Sequence, residues 1–564
     1  MVTPNIWGQG QLFAFSAMDG KSLFGDDFTG ILCGDKIGIR FFSKVRRELA
    51  VTKIAGFVPA FETVSSDLIT MNTPGGQMHI LYAQAHLIIG NIAAGTDVVM
   101  MTEGSCDIEK MDDLELHDTG DGDVTALCKE NGRFAFAYGH SREEVRNLAK
   151  KGLALPLEEL VEKKLCIYRQ FSLGEENPYG KLYAKCVSVM KSQLYSPEGR
   201  FQTIWSTPDR LPHKRLWLWD SVFHAIGMRN LNGKLAEDLI LAIFDTQTEN
   251  GFIPHMASPD MISRITQPPV IGWGAWLVYE KTGNKDFLRQ VYRHNKAFLL
   301  WCQGNRRESD EELYFWFTNA TQTCRCGESG MDNSSRFDLD TVLGAIDFTC
   351  YMANDVRFMM GIAEELEDEA GAAFFGKWYE TIKETINEKL WCREDGFYYD
   401  YDLRNDRFHK VQSVASFLPL LAGVCSREQA ECLAAHLKNP ETFGAAVPVP
   451  SVSRQDETYG TDMWRGPVWV NYNYMIAEGL RNYGFVCLAD ELRDKLLAVM
   501  NEWYLKTGTV YEFYDGENLQ APGKMNRKGK VYEPYDFTVK MQSIRDYGWS
   551  NTLCFDMLHN KYCK

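Results

Sequence analysis

The sequence predicts a mainly α protein in which a closed barrel of helices follows an N-terminal antiparallel β domain. Two observations predict this fold class. The first 150 or so residues carry short apolar runs separated by turn signals, whereas from about Leu157 the apolar residues recur at the helical period. Roughly a dozen such helices fit into the rest of the chain, without the fixed repeat length of a solenoid.

The N-terminal region is the predicted β domain. Its apolar runs alternate with the turn-forming sequences TPGG, AAGTD, DTGDGD and ENGR. Short strands joined by such turns are typical of an antiparallel β-sandwich. The runs are residues 37–42, 80–89, 98–101 and 134–138. We therefore expect a β-sandwich domain over residues 1–150 and a helical-barrel domain over residues 151–564.

The helical region is defined by its apolar period. LEELVEKKLCIYRQF and KLAEDLILAIFDTQ place apolar residues at i, i+3, i+4 and i+7, which predicts amphipathic helices. Several of the predicted helices are followed by Gly or Asn, which favour a helix C-cap. Many helices of this kind, without a repeat and after a β domain, suit a closed helical barrel.

Charge and cysteine content limit the classes of partner. The chain has 60 Lys and Arg against 76 Asp and Glu, so its formal net charge of −16 disfavours nucleic acid and anionic membrane surfaces as partners. No signal peptide is expected, because no basic segment precedes an apolar one at the start of the chain. The 15 cysteines contain no CxxC pair and suit a reducing compartment, so we expect a cytoplasmic protein. The sequence does not decide between a monomer and a homo-oligomer.

One loop combines a carboxylate with large aromatic side chains. WLWDSVFHAIGM places Asp220 beside Trp217 and Trp219, where a helix begins. The carboxylate could simply cap that helix. It could also bind sugar hydroxyls between the two indoles, because a sugar has apolar C–H faces and paired hydroxyl groups.

Polar loops further along the chain supply other candidates. GFIPHM contains His255 and TQPPVIGW contains Gln267, and either loop alone is an ordinary turn. GESGMDNSSRFD contains Glu328 and Asp332, which would lie close together if the segment were helical. A capped loop also explains this segment.

Two aromatic segments follow near the C-terminus. In YGTDMWRGPVWVNYNY, Trp464, Arg465 and Trp469 surround the start of a helix, and Pro467 suits its first turn. TVYEFYDGENLQ holds Glu512 in a short aromatic strand or loop. These candidate acids and indoles therefore lie mainly in the loops between the predicted helices.

Together, five separated motifs resemble glycoside hydrolase family 63. They are WLWDSVFHAIGM, ESGMDNS, VPSVS with WRGPVWVNYNY, YEFYD, and DYGWSNTLCFDML, in the family's order between about residues 205 and 558. The sequence looks closest to members that include mannosylglycerate and glucosylglycerate hydrolases and α-glucosidases. The resemblance implies an (α/α)6-barrel catalytic domain and inverting hydrolysis of a glycoside, with no cofactor and no obligatory metal.

The resemblance also implies roles for individual residues. Asp332, in ESGMDN, matches the general acid, and Glu512, in YEFYD, matches the general base. We add Glu328, which precedes Asp332 by four positions. The positions expected to bind substrate are Trp217, Trp219, Asp220, His255, Gln267, Glu328, Trp464, Arg465 and Trp469.

Two carboxyl groups suit this chemistry. An inverting glycosidase needs one protonated carboxyl group at the leaving oxygen and one carboxylate that activates water, about 6.5–9.5 Å apart. Acids on two distant loops can meet that requirement at one mouth of a barrel. We expect a raised pKa for Asp332, from burial or a neighbouring carboxylate, and an ionised Glu512.

The expected substrate is a small oligosaccharide or glycoside. We expect exo-acting removal of a terminal α-linked sugar, because bulky aromatic loops crowd the mouth of the site. The expected sugar is glucose in preference to mannose. Arg336 or Arg465 could hold a glycerate carboxylate, or either could form an ion pair in the barrel wall. Three alternatives remain: a glycoside phosphorylase, against which Glu512 argues, a catalytically silent sugar-binding protein, and a transferase.

Overall fold

The computed structural model describes the chain except for residues 27, 35–36, 43–47, 55–58, 310, 319–323, 529–540 and 564. The described structure is mixed, with antiparallel sheets in the N-terminal region and mostly helices after residue 141. This confirms the predicted order of a β region followed by a helical one. In the described ranges, no helix has both the length and the apolar run that crossing a membrane requires.

Two antiparallel sheets precede the first helix. Their strands are β1 (Leu12–Phe13), β2 (Thr29–Leu32), β3 (Gly38–Phe42), β4 (Glu48–Ile54), β5 (Ala60–Val64), β6 (Leu68–Thr73), β7 (Gly76–Gln84), β8 (Leu87–Asn91), β9 (Val98–Met101), β10 (Asp107–Met111), β11 (Leu114–Asp118), β12 (Val124–Glu130) and β13 (Arg133–Gly139). One sheet has the order β1-β2-β3-β4-β9 and the other β10-β11-β12-β13-β8-β7-β6-β5. The apolar run 80–89 contains parts of two strands, because the chain turns at residues 85–86, where the polar Gln84 and His86 interrupt the run.

The central strands of the larger sheet are buried on both faces. Phe41 of β3 and Ile80 of β7 belong to one apolar cluster, which lies between the two sheets. Helices α1 (Arg142–Leu153) and α2 (Leu157–Gln170) cover the opposite face, where Val145 packs in a second cluster. Side chains that alternate along one strand therefore enter different cores.

The helices of the C-terminal part form a closed ring of contacts. They are α3 (Gly180–Ser192), α4 (Leu218–Leu231), α5 (Gly233–Phe244), α6 (Ile271–Thr282), α7 (Lys285–Asn305), α8 (Ile346–Glu365), α9 (Glu369–Thr385), α10 (Leu418–Ala422), α11 (Arg427–Lys438), α12 (Val470–Asn482), α13 (Val486–Thr507) and α14 (Gly548–Tyr562). In the ring, α4, α6, α8, α10, α12 and α14 touch in this order, and α14 touches α4 again. Helices α3, α5, α7, α9 and α13 pack against ring members. Accordingly, α4 is buried on almost every side, whereas α7 buries a single apolar stripe.

Short strands lie in the loops between the helices. They are β14 (Leu194–Tyr195), β15 (Trp205–Ser206), β16 (Leu216–Trp217), β17 (Met256–Ser258), β18 (Met261–Ile262), β19 (Leu343–Gly344), β20 (Trp391–Cys392), β21 (Phe397–Tyr398), β22 (Asp400–Asp402), β23 (Arg407–His409), β24 (Val468–Trp469) and β25 (Phe513–Tyr514). β16 leads directly into α4, and β24 leads directly into α12. β24 pairs with β25 so that Trp469 lies opposite Phe513, the neighbour of Glu512.

The N-terminal region holds the start of the last helix. The backbone N–H of Leu12 in β1 donates to Asp546 Oδ2 at 2.9 Å, and Lys185 Nζ lies 2.8 Å from the same oxygen. Asp546 is buried and has a left-handed backbone, with φ of 52°. Because Tyr547 follows it, these contacts fix the position of Tyr547 and the entry into α14.

Candidate active site

A pocket of about 90 Å³ lies at the N-terminal ends of several ring helices. Trp219 and Asp220 belong to the first turn of α4, Trp469 directly precedes α12, and Trp549 belongs to the first turn of α14. The ring brings these helix ends together although they are far apart in sequence. The described residues that line the pocket are His213, Trp217, Trp219, Asp220, Gln267, Gly327, Gly330, Asp332, Met463, Trp469, Glu512, Arg527, Lys528, Tyr547 and Trp549.

Indole rings form much of the wall. Trp219 meets Trp549 edge to face, with ring centroids 5.1 Å apart, and Trp469 lies 5.8 Å from Trp549. Gly330 passes close to Trp219 with φ of 73°, and a Cβ at this position would lie 2.3 Å from a ring carbon. Glycine is therefore required for the loop that carries Asp332 to lie against the wall.

Two carboxylates face the pocket. Each is bound by one of two cationic residues that are adjacent in the sequence. Glu512 accepts hydrogen bonds from Arg527 Nε at 2.8 Å and from Arg527 Nη2 at 3.1 Å. Asp332 forms an ion pair with Lys528. Glu512 is buried, whereas the Asp332 side chain is 18% exposed and can be reached from the pocket. Residues 527 and 528 therefore orient the two acids that the sequence singled out.

A buried polar cluster lies beside Glu512. Burial, followed by the negative charges of Asp209 and Glu512, raises the pKa of Asp220 well above its ordinary value. A carboxyl group with a raised pKa retains its proton more readily, so it can donate a hydrogen bond to a sugar oxygen. The Tyr547 hydroxyl donates to Asp220 Oδ1 at 3.4 Å. His213 Nδ1 lies 2.5 Å from Asp209 Oδ2, and its Nε2 lies 3.4 Å from Arg527 Nη2.

The structure brings seven of the predicted site residues together in the pocket. They are Trp217, Trp219, Asp220, Gln267, Asp332, Trp469 and Glu512. Gln267 Oε1 also accepts a hydrogen bond from the backbone N–H of Trp219 at 3.2 Å. This contact links the loop before α6 to the first turn of α4.

Two other predicted residues lie behind the lining. The ring of His255 meets Trp217 edge to face at 5.0 Å. Glu328 is buried and binds Arg306 at 2.6 Å. The segment that carries Glu328 forms turns rather than a helix, so Glu328 does not share the direction of Asp332. Both residues support the wall and do not line the pocket among the described residues.

The WRGPVW segment also contributes from behind. Trp464 is buried and stacks on Trp469, with parallel rings 3.9 Å apart. Arg465 donates to the backbone carbonyl of Asn333 at 2.8 Å and binds Asp338 at 2.6 Å. Arg465 is therefore held as an ion-pair partner, one of the two roles that the sequence allowed for it.

Arg336 is enclosed by two aspartates. Its guanidinium donates to both oxygens of Asp347, at 2.6 and 2.9 Å, and to both oxygens of Asp400, at 2.7 and 2.8 Å. All three side chains are buried. Arg336 therefore has the ion-pair role that the sequence left open and not that of a carboxylate clamp, and it anchors the loop that carries Asp332.

Several lining residues were not predicted as site residues. The polar segment that contains Arg527 and Lys528 carries no motif, so its role depends on contacts that a sequence does not display. Tyr547 and Trp549 lie in the DYGWS motif, which signals the site through the family resemblance. The unpredicted side chains are His213, Met463, Arg527, Lys528, Tyr547 and Trp549.

Comparisons with known proteins match this chain to glycoside hydrolases. Residues 212–550 match the mannosylglycerate hydrolase MGH1-like glycoside hydrolase domain, a region that contains every residue of the pocket lining. A mannosylglycerate hydrolase of Thermus thermophilus is 27% identical over 392 residues, which cover 54% of this chain and 90% of that protein. A cytosolic neutral trehalase of Kluyveromyces lactis is 28% identical over 263 residues, covering 43% of this chain and 33% of that protein.

A solved structure agrees with these matches. The GH63 mannosylglycerate hydrolase from Thermus thermophilus, in complex with glucose, has a TM-score of 0.55 and 25% sequence identity. The similarity covers 66% of this chain and 99% of that one. The family match spans well over half of the chain and includes the whole pocket. This protein is a glycoside hydrolase and belongs to glycoside hydrolase family 63.

Proposed function

We propose that this enzyme removes one terminal α-linked sugar with inversion of configuration, with Asp332 as general acid and Glu512 as general base. The observation that carries the proposal is the pair of carboxylates in one aromatic-walled pocket, each bound by its own cation. The small pocket supports exo action, because it suits a chain end rather than the middle of a polymer.

The proposed reaction uses the two acids in one step. Asp332, once protonated, gives its proton to the glycosidic oxygen as the bond from that oxygen to the anomeric carbon breaks. Glu512 takes a proton from a water molecule, whose oxygen bonds to the anomeric carbon from the opposite face. Arg527 orients Glu512 through two hydrogen bonds, and Asp220 is available to bind a sugar hydroxyl.

We also propose an (α/α)6 barrel for residues 151–564 and a β-sandwich domain for residues 1–150. The closed ring of α4, α6, α8, α10, α12 and α14 supports the barrel, and the cluster between the two sheets supports the sandwich. The remaining proposed binding residues, His255, Glu328, Trp464 and Arg465, would act by holding the wall in place.

For the sugar we propose an α-glucoside, and the names of the relatives make the α-mannoside of glycerate the second candidate. The decisive experiment is a turnover assay on matched α-glucosides and α-mannosides, on trehalose and on both glycerate glycosides. Each assay is run with and without inorganic phosphate. Hydrolysis without phosphate is expected, whereas turnover that requires phosphate would identify a phosphorylase and remove Glu512 from its proposed role.

Replacing Asp332 by asparagine is expected to lower kcat about 1,000-fold on a substrate whose leaving oxygen needs a proton, the usual scale for loss of a general acid. On a glycosyl fluoride, which leaves without protonation, the loss is expected to be below about tenfold because no general acid is required. Asp340→Asn is the matched control, since Asp340 is exposed on the same loop. Equal losses on both substrates would remove Asp332 from the role of general acid.

A further inference from the structure

A second cavity lies towards the other end of the helical ring, between the later turns of α12 and α14 and the first turns of α13. Its volume is about 480 Å³, against about 90 Å³ for the active-site pocket, and this size suits a small molecule. Asn560 of this far cavity lies about 16 Å along α14 from Trp549 of the active-site pocket, at the usual helical rise. The proposed reaction uses no residue of the far cavity.

One buried carboxylate joins three ring helices beside the far cavity. Asp556, on α14, lines the cavity, and its side chain is buried. Its Oδ1 accepts hydrogen bonds from Arg229 Nη2 at 3.1 Å and from Asn230 Nδ2 at 2.7 Å, both at the end of α4. Its Oδ2 accepts from the Tyr474 hydroxyl of α12 at 2.7 Å and from Asn560 Nδ2 at 2.9 Å. Because these bonds join α4, α12 and α14, the wall of the cavity is formed before any ligand binds.

Buried polar atoms beside Asp556 have unused hydrogen-bonding capacity. The Arg229 side chain is only 9% exposed, yet its Nε and Nη1 have no hydrogen-bond partner among the residues that the structure describes. The amide oxygen of Asn230 also lacks one in the same part of the chain. The negative charge of Glu478, on the cavity wall, acts on the Arg229 guanidinium as well. Buried donors and acceptors without partners are costly, and a ligand that carries both kinds of group can satisfy them.

The charges on the wall of the far cavity balance one another. The described charged residues that line it are three acids and three bases: Glu478, Asp490, Asp556, Arg481, Arg493 and Lys561. Arg481 and Arg493 both pair with Asp490, at 2.7 and 2.8 Å, and Lys561 pairs with Asp494 at 2.8 Å. The C-terminal ends of α12 and α14, which lie here, disfavour an anion. A ligand with a net charge would therefore meet like charges on this wall.

We propose that the far cavity is a second ligand site, which binds a neutral polyhydroxylated molecule. Each hydroxyl group both donates and accepts, so such a molecule can bind the carboxylate of Glu478 and also the unfilled N–H groups of Arg229. Val486, 47% exposed at the start of α13, and Met557 present an apolar surface to the C–H groups of the same molecule. The site needs no net charge on the ligand, and it binds independently of the active-site pocket.

Matched probes test the class of ligand. Sorbitol is neutral, gluconate carries a negative charge, and glucamine carries a positive charge on the same carbon chain. We expect sorbitol to bind the wild type with a millimolar dissociation constant in calorimetry, the scale for a small molecule held by a few hydrogen bonds. Gluconate and glucamine are expected to bind at least about tenfold more weakly, because their charge meets like charges on the wall. Tighter binding of either charged probe would overturn the proposed class of ligand.

Variants of the far cavity test its location. Val486→Trp, which fills the cavity from an exposed position, and Glu478→Gln, which removes a charged acceptor, are each expected to raise the sorbitol dissociation constant at least about tenfold. Glu491→Gln, an exposed change on α13 outside the cavity, should bind sorbitol as the wild type does. Glycoside hydrolysis should stay within about twofold of wild type in all three, because the changes lie far from the active-site pocket. A wild type that does not bind sorbitol, or unchanged binding in Val486→Trp and Glu478→Gln, would overturn the inference and leave the proposed function standing.

Discussion

Glu512→Gln is expected to lower kcat about 1,000-fold while sugar binding changes by only a few fold, because the amide cannot accept a proton from water. The variant also removes the carboxylate that pairs with buried Arg527, and breaking a buried ion pair costs about 3–5 kcal/mol in stability. Turnover is therefore measured at a temperature below the thermal unfolding transition of the variant. Glu517→Gln, a half-buried change five residues away, is the control and should keep near-normal turnover.

A small nucleophile distinguishes loss of the base from distortion of the site. In Glu512→Ala, azide is expected to restore turnover, because it can attack the anomeric carbon without a base while Asp332 still protonates the leaving oxygen. An inverting enzyme gives the β-glycosyl azide from an α-glycoside. Wild-type turnover in Glu512→Gln, or an α-glycosyl azide product, would rule out Glu512 as the base of an inverting reaction.

Arg336→Met is expected to destabilise the fold by about 3–5 kcal/mol, the range for breaking a buried ion pair. The change leaves the carboxylates of Asp347 and Asp400 buried without their shared cation. Activity should fall as well, since Arg336 anchors the loop that carries Asp332 and small displacements of a catalytic group are costly. Chemical denaturation followed by tryptophan fluorescence measures the stability.

The control for this change is Arg325→Met, in the segment just before the same loop. Arg325 pairs with Asp338, and both side chains are about one-third exposed, at 30% and 32%. Loss of such an exposed pair is expected to change the free energy of unfolding by less than about 1 kcal/mol. Equal stability of the two variants would contradict the structural role assigned to Arg336. If Arg336→Met does not fold, Arg336→Lys keeps the charge and should show a smaller loss.

The sequence predicted those parts of the fold and the site that depend on local residue patterns. The β region, the helices and the loops at helix starts follow from apolar periods and turn residues. The motifs that contain Trp219, Asp220, Asp332, Trp469 and Glu512 led to one pocket because each lies at a helix start or in a loop between helices. The prediction was less accurate at residues 80–89, where the polar Gln84 and His86 mark a turn between two strands inside the single predicted apolar run.

Ionic partners could not be predicted from sequence. Arg336 lies 11 positions from Asp347 and 64 from Asp400, and neither spacing indicates a contact. Arg527 and Lys528 lie in an ordinary polar segment, yet one binds Glu512 and the other binds Asp332. The role of a charged side chain depends on which distant carboxylate the fold brings to it.

The stereochemistry of hydrolysis tests the central claim most directly. Proton NMR of the reaction on the preferred α-glycoside, recorded before mutarotation, identifies the anomer that is released first. The proposed pair of Asp332 and Glu512 predicts the β-anomer, because water attacks opposite the leaving group. Initial release of the α-anomer would mean retention of configuration and would contradict the proposed roles of both carboxylates.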